Sequence, residues 1–327
     1  MKILYLKSFD PDLKNKNDYL HDTLLIGLRE LYGYDVIDYP ENEYLYKDKN
    51  LLYKNELWGK GFTLYDILNN SNKIDRTDIL KKIKKNYFDI IIYGSIRGKN
   101  FFFEESLNSN SKIAFIDTSD DPYIDKEKIY KGVYFKRELY NKENNVLPIS
   151  FAIPKSKISK EIKQFPKNLL SPLIPGKEKS YIYNNEEDYF KMYNDSLFSL
   201  TYRKTGWDCL RHYEILASGS IPLFLDIKKC PELTCASLPK KQLIQILDKF
   251  SWIVNFYNPF KVLKKRFRRK EHFINFFLNI FKTIDVQKLI SNYSEVDDLR
   301  NNLFNYTKKN LTSEKLAEYV ILKLSRE

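Results

Sequence analysis

The sequence predicts an α/β protein: two Rossmann-like domains facing a cleft, with the C-terminal helix packing back toward the N-terminal domain. Three observations lead there. Short β-branched runs alternate with amphipathic stretches from residue 2 onward, which is the pattern of a parallel sheet with helices on its faces. One run, Phe88 to Tyr93 (FDIIIY), is apolar on both faces, as a central parallel strand must be. The chain of 327 residues exceeds the roughly 100 to 200 of one domain, and prolines at 148, 154, 166, 172 and 175 mark where it divides.

The elements follow in order. Lys2 to Leu6 is a strand, then come an Asp-, Pro- and Asn-rich loop and an amphipathic helix from Tyr19 to Leu31. Asp35 to Tyr39 (DVIDY) is the second strand, ended by Pro40. Beyond an aromatic, polar connection containing LWGKGFTL, Thr77 to Lys85 reads as helix and leads into Phe88 to Tyr93, and Lys112 to Ile116 (KIAFI) is a further strand ending at Asp117. Residues 1–147 are therefore a Rossmann-like domain. The chain has only ten glycines and no GxGxxG fingerprint, which disfavours a nicotinamide-dependent oxidoreductase. Residues 148–175 read as a Pro-rich linker and 176–311 as a second α/β domain. In that domain the strands Leu197 to Tyr202 and Ile221 to Leu225 flank a helix from Trp207 to Ser218, and Lys240 to Phe250 is helical. Residues 312–327 hold the terminal helix, Ser313 to Leu324, with Thr312 or Ser313 as N-cap and Glu314 in its first turn.

Composition narrows the function classes. Lys and Arg outnumber Asp and Glu by 55 to 43, a net charge of +12, which favours anionic partners without choosing among nucleotides, acidic glycans, lipid headgroups and nucleic acid. Cys209, Cys230 and Cys235 form no CxxC pair, and their odd number argues against a disulfide framework. With His21, His212 and His272 scattered, no zinc site is expected. The N-terminal apolar stretch is too short for a signal-peptide core or a span. The expected location is cytoplasmic, with a peripheral contact to the inner face of the membrane as an option.

The densest chemistry lies in Tyr202 to Pro222, YRKTGWDCLRHYEILASGSIP. Thr205 to Asp208 fit the T-x-x-D form of a capping box, and Gly219 suits a left-handed C-cap. A helix N-terminus presents unpaired N–H groups and a positive dipole end to phosphate oxygens. Gly206 leaves room for close approach, and Arg203 and Lys204 add full charges. Arg211 and Glu214, three apart, share a helical face. A guanidinium can hold a diphosphate through two bonds, and a carboxylate can accept from a sugar diol. The competing reading is a surface ion pair worth about 0.2 to 0.5 kcal/mol.

The run GWDCLRHYEILASGSIPLFLD resembles the donor-binding segment of GT-B glycosyltransferases, in particular the exostosin-like and bacterial polysaccharide or lipopolysaccharide transferases. Arg211, Glu214, Leu216, Gly219, Ile221 and Pro222 match their R-x-x-E-x-L-x-x-G-x-I-P pattern in register. KNDYLHDTLLIGLRELYGYDVIDYP, LWGKGFTL and FDIIIYGSIR are similar to the N-terminal half of the same group. The resemblance implies a GT-B-like fold and a nucleotide-sugar donor, with Arg211 and the preceding cations on the diphosphate and Glu214 on donor hydroxyls. It also implies transfer to a glycan or glycolipid, in surface polysaccharide or lipopolysaccharide synthesis, with no obligatory metal. No seven-residue-spaced pair of glutamates surrounds Glu214 and no Gly-rich N-terminal loop precedes it, so retaining and inverting outcomes both stay open.

Other candidates face the same crevice. Asp117, Asp120 and Asp121 follow the KIAFI strand; they read as a Mg or Mn site of the GT-A kind, as an Asp-rich turn before Pro122, or, in Asp117, as a base for an acceptor hydroxyl. His21, beside Asp18 and Asp22, is either a general base or a structural histidine. Gly61 lies in a Gly59-Lys60-Gly61-Phe62 loop that reads as an acceptor-side lid or a plain turn. Gly94 and Arg97 follow the buried strand, where an acceptor or phosphate would arrive. Lys261 to Lys282 is a dense basic segment with interleaved Phe and Ile, suited to an anionic membrane surface, a solvated helix face or, less well, nucleic acid. The rival classes are thus a non-enzymatic nucleic-acid- or membrane-binding protein on an α/β scaffold and a metal-dependent GT-A-type transferase.

Overall fold

A computed structural model describes residues 1–8, 17–49, 54–164, 166–250, 253 and 293–326. Six strands form one sheet: β1 (Ile3–Leu6), β2 (Val36–Tyr39), β3 (Ile90–Tyr93), β4 (Lys112–Asp117), β5 (Val133–Lys136) and β6 (Val146–Pro148). Their order is β2-β1-β3-β4-β5-β6 and every pairing is parallel. β1 and β3 are buried along their whole length and are apolar on both faces; β5 is buried too, with its terminal Lys136 paired to Asp117.

Helices α1 (Tyr19–Tyr32), α2 (Ile79–Lys84) and α3 (Phe103–Leu107) connect the first four strands. Asp18 caps α1, its carboxylate accepting from the N–H groups of Leu20 (3.2 Å) and His21 (3.3 Å). The chain leaves β1 toward β2 and returns past it to β3, so the order of strands reverses between β1 and β3. In an open α/β sheet that reversal opens a crevice beyond the carboxyl ends of the strands. Lys7 and Ser8 follow β1 there, and Gly94 to Arg97 follow β3.

A second parallel sheet carries β7 (Asn168–Leu170), β8 (Ser196–Thr201) and β9 (Ile221–Phe224) in that order. Helix α4 (Glu186–Asn194) precedes β8, α5 (Leu210–Ala217) joins β8 to β9, and α6 (Lys240–Lys249) follows. Among the described residues this sheet has three strands, so the second half is a smaller layer than the Rossmann-like domain the sequence suggests. Its edge strand β7 falls inside the segment read as a linker. Ile149, Phe151, Ala152 and Ile153 in that segment are buried as well, in an apolar cluster that runs from Ile3 and Phe115 through to Phe198 and Leu223.

Helices α7 (Tyr293–Asn310) and α8 (Ser313–Ser325) end the chain. Thr312 caps α8 through Lys315 N–H (3.4 Å), as the sequence indicates. Ile153 pairs with this corner: its N–H donates to Leu311 O at 2.9 Å and its carbonyl accepts from Ser313 N–H at 3.0 Å. α8 then returns to the first sheet, where the Tyr319 hydroxyl donates to Pro148 O (2.8 Å) and Lys112 Nζ reaches Leu324 O (2.9 Å). No described helix is long and apolar enough to cross a membrane. Lys261 to Lys282 lies outside the described residues.

Candidate functional site

A cavity of about 900 Å³ opens between the carboxyl ends of the two sheets. One wall comes from the first sheet's crevice: Lys7 and Ser8 after β1, His21 on α1, Ser95 and Arg97 after β3, and Asp120 after β4. The other wall is built from the loop after β8, the first turns of α5, and Tyr181, Tyr183 and Tyr189. Residues Trp58 to Lys60 and Phe62 cross from the first half to line the space between them.

Arg211 and Glu214 both line this cavity, but they are not paired. The Glu214 carboxylate accepts from Thr63 Oγ1 (2.5 Å) and Tyr189 OH (2.6 Å). Burial pushes its pKa up, and those two hydrogen bonds pull it back down. The Arg211 guanidinium donates from Nη2 to Tyr181 OH at 3.1 Å, while Nε and Nη1 are buried and have no hydrogen-bond partner among the described residues. This is not a surface ion pair. The residue as a whole is half-buried, and the Glu214 carboxylate lies one helical turn away.

The segment before Arg211 differs from its sequence reading. α5 begins at Leu210, with Cys209 at the N-cap position and no side-chain cap, so Thr205 and Asp208 do not form a capping box. Asp208 is instead a tie between the halves: it accepts from Phe151 N–H (2.8 Å) and Tyr213 OH (3.0 Å). Its own N–H donates to Glu138 Oε1 at 3.0 Å. The space left by Gly206 is filled too, since a Cβ there would lie 2.7 Å from Glu138 Oε1 and 2.8 Å from Asp120 Oδ1. The room at Gly206 is thus taken by two of the protein's own carboxylates, both paired with Arg137. Arg203 stacks over the Trp207 ring (5.1 Å) and donates to Thr205 O, and is not among the residues lining the cavity. Lys204 is exposed on the cavity wall. The cationic elements facing the cavity from this segment are therefore Arg211 and Lys204.

On the first wall, His21 is buried against the Gly94 backbone. Burial, reinforced by the charge of Lys7, pushes its pKa down to about 3, so the imidazole is neutral at pH 7. Gly94 is needed beside it: a Cβ would strike the Tyr5 ring at 2.3 Å and His21 Nδ1 at 2.5 Å. Its sequence role as an acceptor contact gives way to packing. Arg97 is exposed on the cavity wall. Asp117 points elsewhere, accepting from Ser119 Oγ (2.5 Å), Tyr134 OH (2.6 Å) and Lys136 Nζ (2.9 Å). With its lone pairs taken and Lys136 against it, Asp117 is poorly placed as a base or metal ligand. Asp120 pairs with Arg137 and lines the cavity, and Asp121 is exposed. Among the described residues no group of three His, Cys, Asp or Glu side chains is arranged around a cation position. Gly61 sits behind the wall formed by its neighbours, packed on Lys54 and Leu57.

Thr63, Tyr181, Tyr189 and Arg137 were not singled out by the sequence. Arg137 leaves a readable trace, because a KRE triplet directly after a short apolar run is unusual for a buried strand end; Lys136, Arg137 and Glu138 are all buried. The tyrosines are lost among the 25 in the chain. Searches against protein-family models, curated proteins and solved structures find no match to this chain.

Proposed function

We propose that the protein is a GT-B-like, two-domain glycosyltransferase that binds a nucleotide sugar in this cavity and transfers the sugar to a hydroxyl of a glycan or glycolipid. The observation that carries the reading is Arg211, a half-buried guanidinium with no ion-pair partner among the described residues, on the wall of a cavity large enough for such a ligand. A planar guanidinium suits the oxygens of a diphosphate. Arg211, with Lys204, would stabilise charge on the leaving diphosphate as the glycosidic C–O bond breaks. The incoming hydroxyl oxygen forms the new bond to the anomeric carbon, and its proton passes to a base on the opposite wall.

His21, which lines the opposite wall, would take that proton. At a pKa of about 3 it is a weak base, and a diphosphate anion in the same cavity would raise its proton affinity. The chain's resemblance to GT-B donor segments at Arg211, Glu214 and Gly219 supports the same assignment, and the net charge of +12 suits an anionic donor.

The test is a thermal-shift and turnover screen of nucleoside diphosphates and nucleotide sugars. A donor at 100 times its dissociation constant should stabilise the fold by about 2.7 kcal/mol. Arg211→Met should abolish that shift. A wild type that responds to no nucleotide at millimolar concentration would remove the reading.

A further inference from the structure

Arg211 and Glu214 stand three apart on α5, a spacing at which opposite charges ordinarily meet. We infer that Thr63 and Tyr189 are positioning residues that hold the Glu214 carboxylate off Arg211, leaving the guanidinium free for a bound diphosphate. The inference rests on the anion reading of Arg211 above. Both carboxylate oxygens are engaged, Oε1 by Thr63 Oγ1 at 2.5 Å and Oε2 by Tyr189 OH at 2.6 Å, and these donors come from outside α5. Remove one and the freed oxygen has a cation one helical turn away to which it can swing.

The delivery of Thr63 is strongly determined by its surroundings. Its loop runs through left-handed backbone at Gly59 (φ 62°), Lys60 (59°), Gly61 (68°) and Thr63 (75°). A β-branched residue at φ 75° is costly, and such conformations persist where several contacts enforce them. Here Thr63 N–H donates to Glu186 Oε1 (2.5 Å), which Lys157 also holds (2.8 Å), and Lys60 Nζ donates to Tyr183 O (2.9 Å) and Asn184 Oδ1 (2.8 Å). The loop that lines the cavity from the first half is thereby fastened to the second half at the point where Glu214 must be held. The Phe62 and Tyr189 rings pack at 5.4 Å, joining the two donors into one unit.

Inorganic pyrophosphate is the probe, because it reads the charge on Arg211 and has no hydroxyls for Glu214 to bind. Its affinity is measured by calorimetry on the full chain for wild type, Thr63→Val, Thr63→Ser, Glu214→Gln and the Thr63→Val/Glu214→Gln double variant. Thr63→Val should weaken binding about tenfold, the worth of a hydrogen bond to a charged group, and Thr63→Ser should retain it. In the Glu214→Gln background, where no charge is left to compete, Thr63→Val should cost no more than about twofold. An equal loss in both backgrounds, or no loss in either, overturns the inference. If Thr63→Val does not fold, Tyr189→Phe applies the same cycle to the other oxygen. A wild type that takes up no pyrophosphate ends the anion reading and this inference together. One that binds pyrophosphate but no nucleotide sugar leaves this inference standing and removes the transferase.

Discussion

A neutral, buried imidazole makes His21 a liability in acid. Its pKa is about 3 when folded, against about 6.5 in an unfolded chain. Above pH 6.5 neither state binds the proton. Below it the unfolded chain does and the folded one does not, so this contribution to stability is present above pH 6.5 and lost as pH falls toward 3, at roughly 1.4 kcal/mol per unit. His212, pushed down to about 4 by burial, works in the same direction. Asp22 opposes both: burial raises it to about 7, so its contribution is present in acid and lost as pH rises through 7. The difference between wild type and His21→Phe isolates one group. Urea unfolding at pH 7 and pH 5 should show that difference moving by about 2 kcal/mol in favour of the variant at the lower pH. A difference that does not change with pH would mean that the folded protein admits the proton. The sequence placed His21 at the helix start beside the crevice. Its burial was not legible, because that depends on Tyr5 and Gly94 arriving from β1 and β3.

At the scale of elements, the contact between α1 and α8 depends on one glycine. A Cβ at Gly27 would lie 1.9 Å from Ser313 O and 2.3 Å from Ser313 C, which are backbone atoms that cannot rotate aside. Gly27→Ala gains up to about 1 kcal/mol of helix propensity and must separate two packed helices, an overpacking cost of typically 1 to 3 kcal/mol. The clash should win. Chemical denaturation should show a lower midpoint for Gly27→Ala, whereas a higher midpoint would mean that the helices do not approach so closely. Both helices were legible in the sequence, because each is long enough to show its period and α8 carries its cap in Thr312. The strands β5 (VYFK), β6 (VLP) and β7 (NLL) were not: unlike the equally short β-branched run of β3, they carry Lys, Pro or Asn within three or four residues, and their pairing with distant neighbours makes them strands. The start of α5 was misjudged for a related reason. A T-x-x-D pattern describes local options, and Asp208 found a better partner in Phe151 N–H, 57 residues away.

Across the whole molecule, proline content indicated a linker where the fold has a joint. Prolines exclude helix interior, but they do not prevent burial, and the residues from Ile149 to Ile153 are packed between the sheets. Around them the halves are tied by buried polar contacts: Arg137 donates to Asp208 O (2.6 Å), Thr234 Oγ1 to Leu139 O (2.9 Å), and Thr63 to Glu214. α8 adds a further tie, since it bridges the 148–153 segment to α1 and the first sheet. Separating the halves would expose the shared apolar cluster and leave these groups unpaired, each at about 1 to 3 kcal/mol. The cost of opening the joint is then a large part of a total stability of about 5 to 15 kcal/mol. The two sheets should therefore unfold together. Far-UV and near-UV circular dichroism should trace one coincident thermal transition, with calorimetric and van't Hoff enthalpies equal, and pyrophosphate should move that transition as a unit. Two transitions, with only the later-melting or only the earlier-melting one responding to the ligand, would mean that the cavity belongs to one half and that the ties between the sheets contribute little.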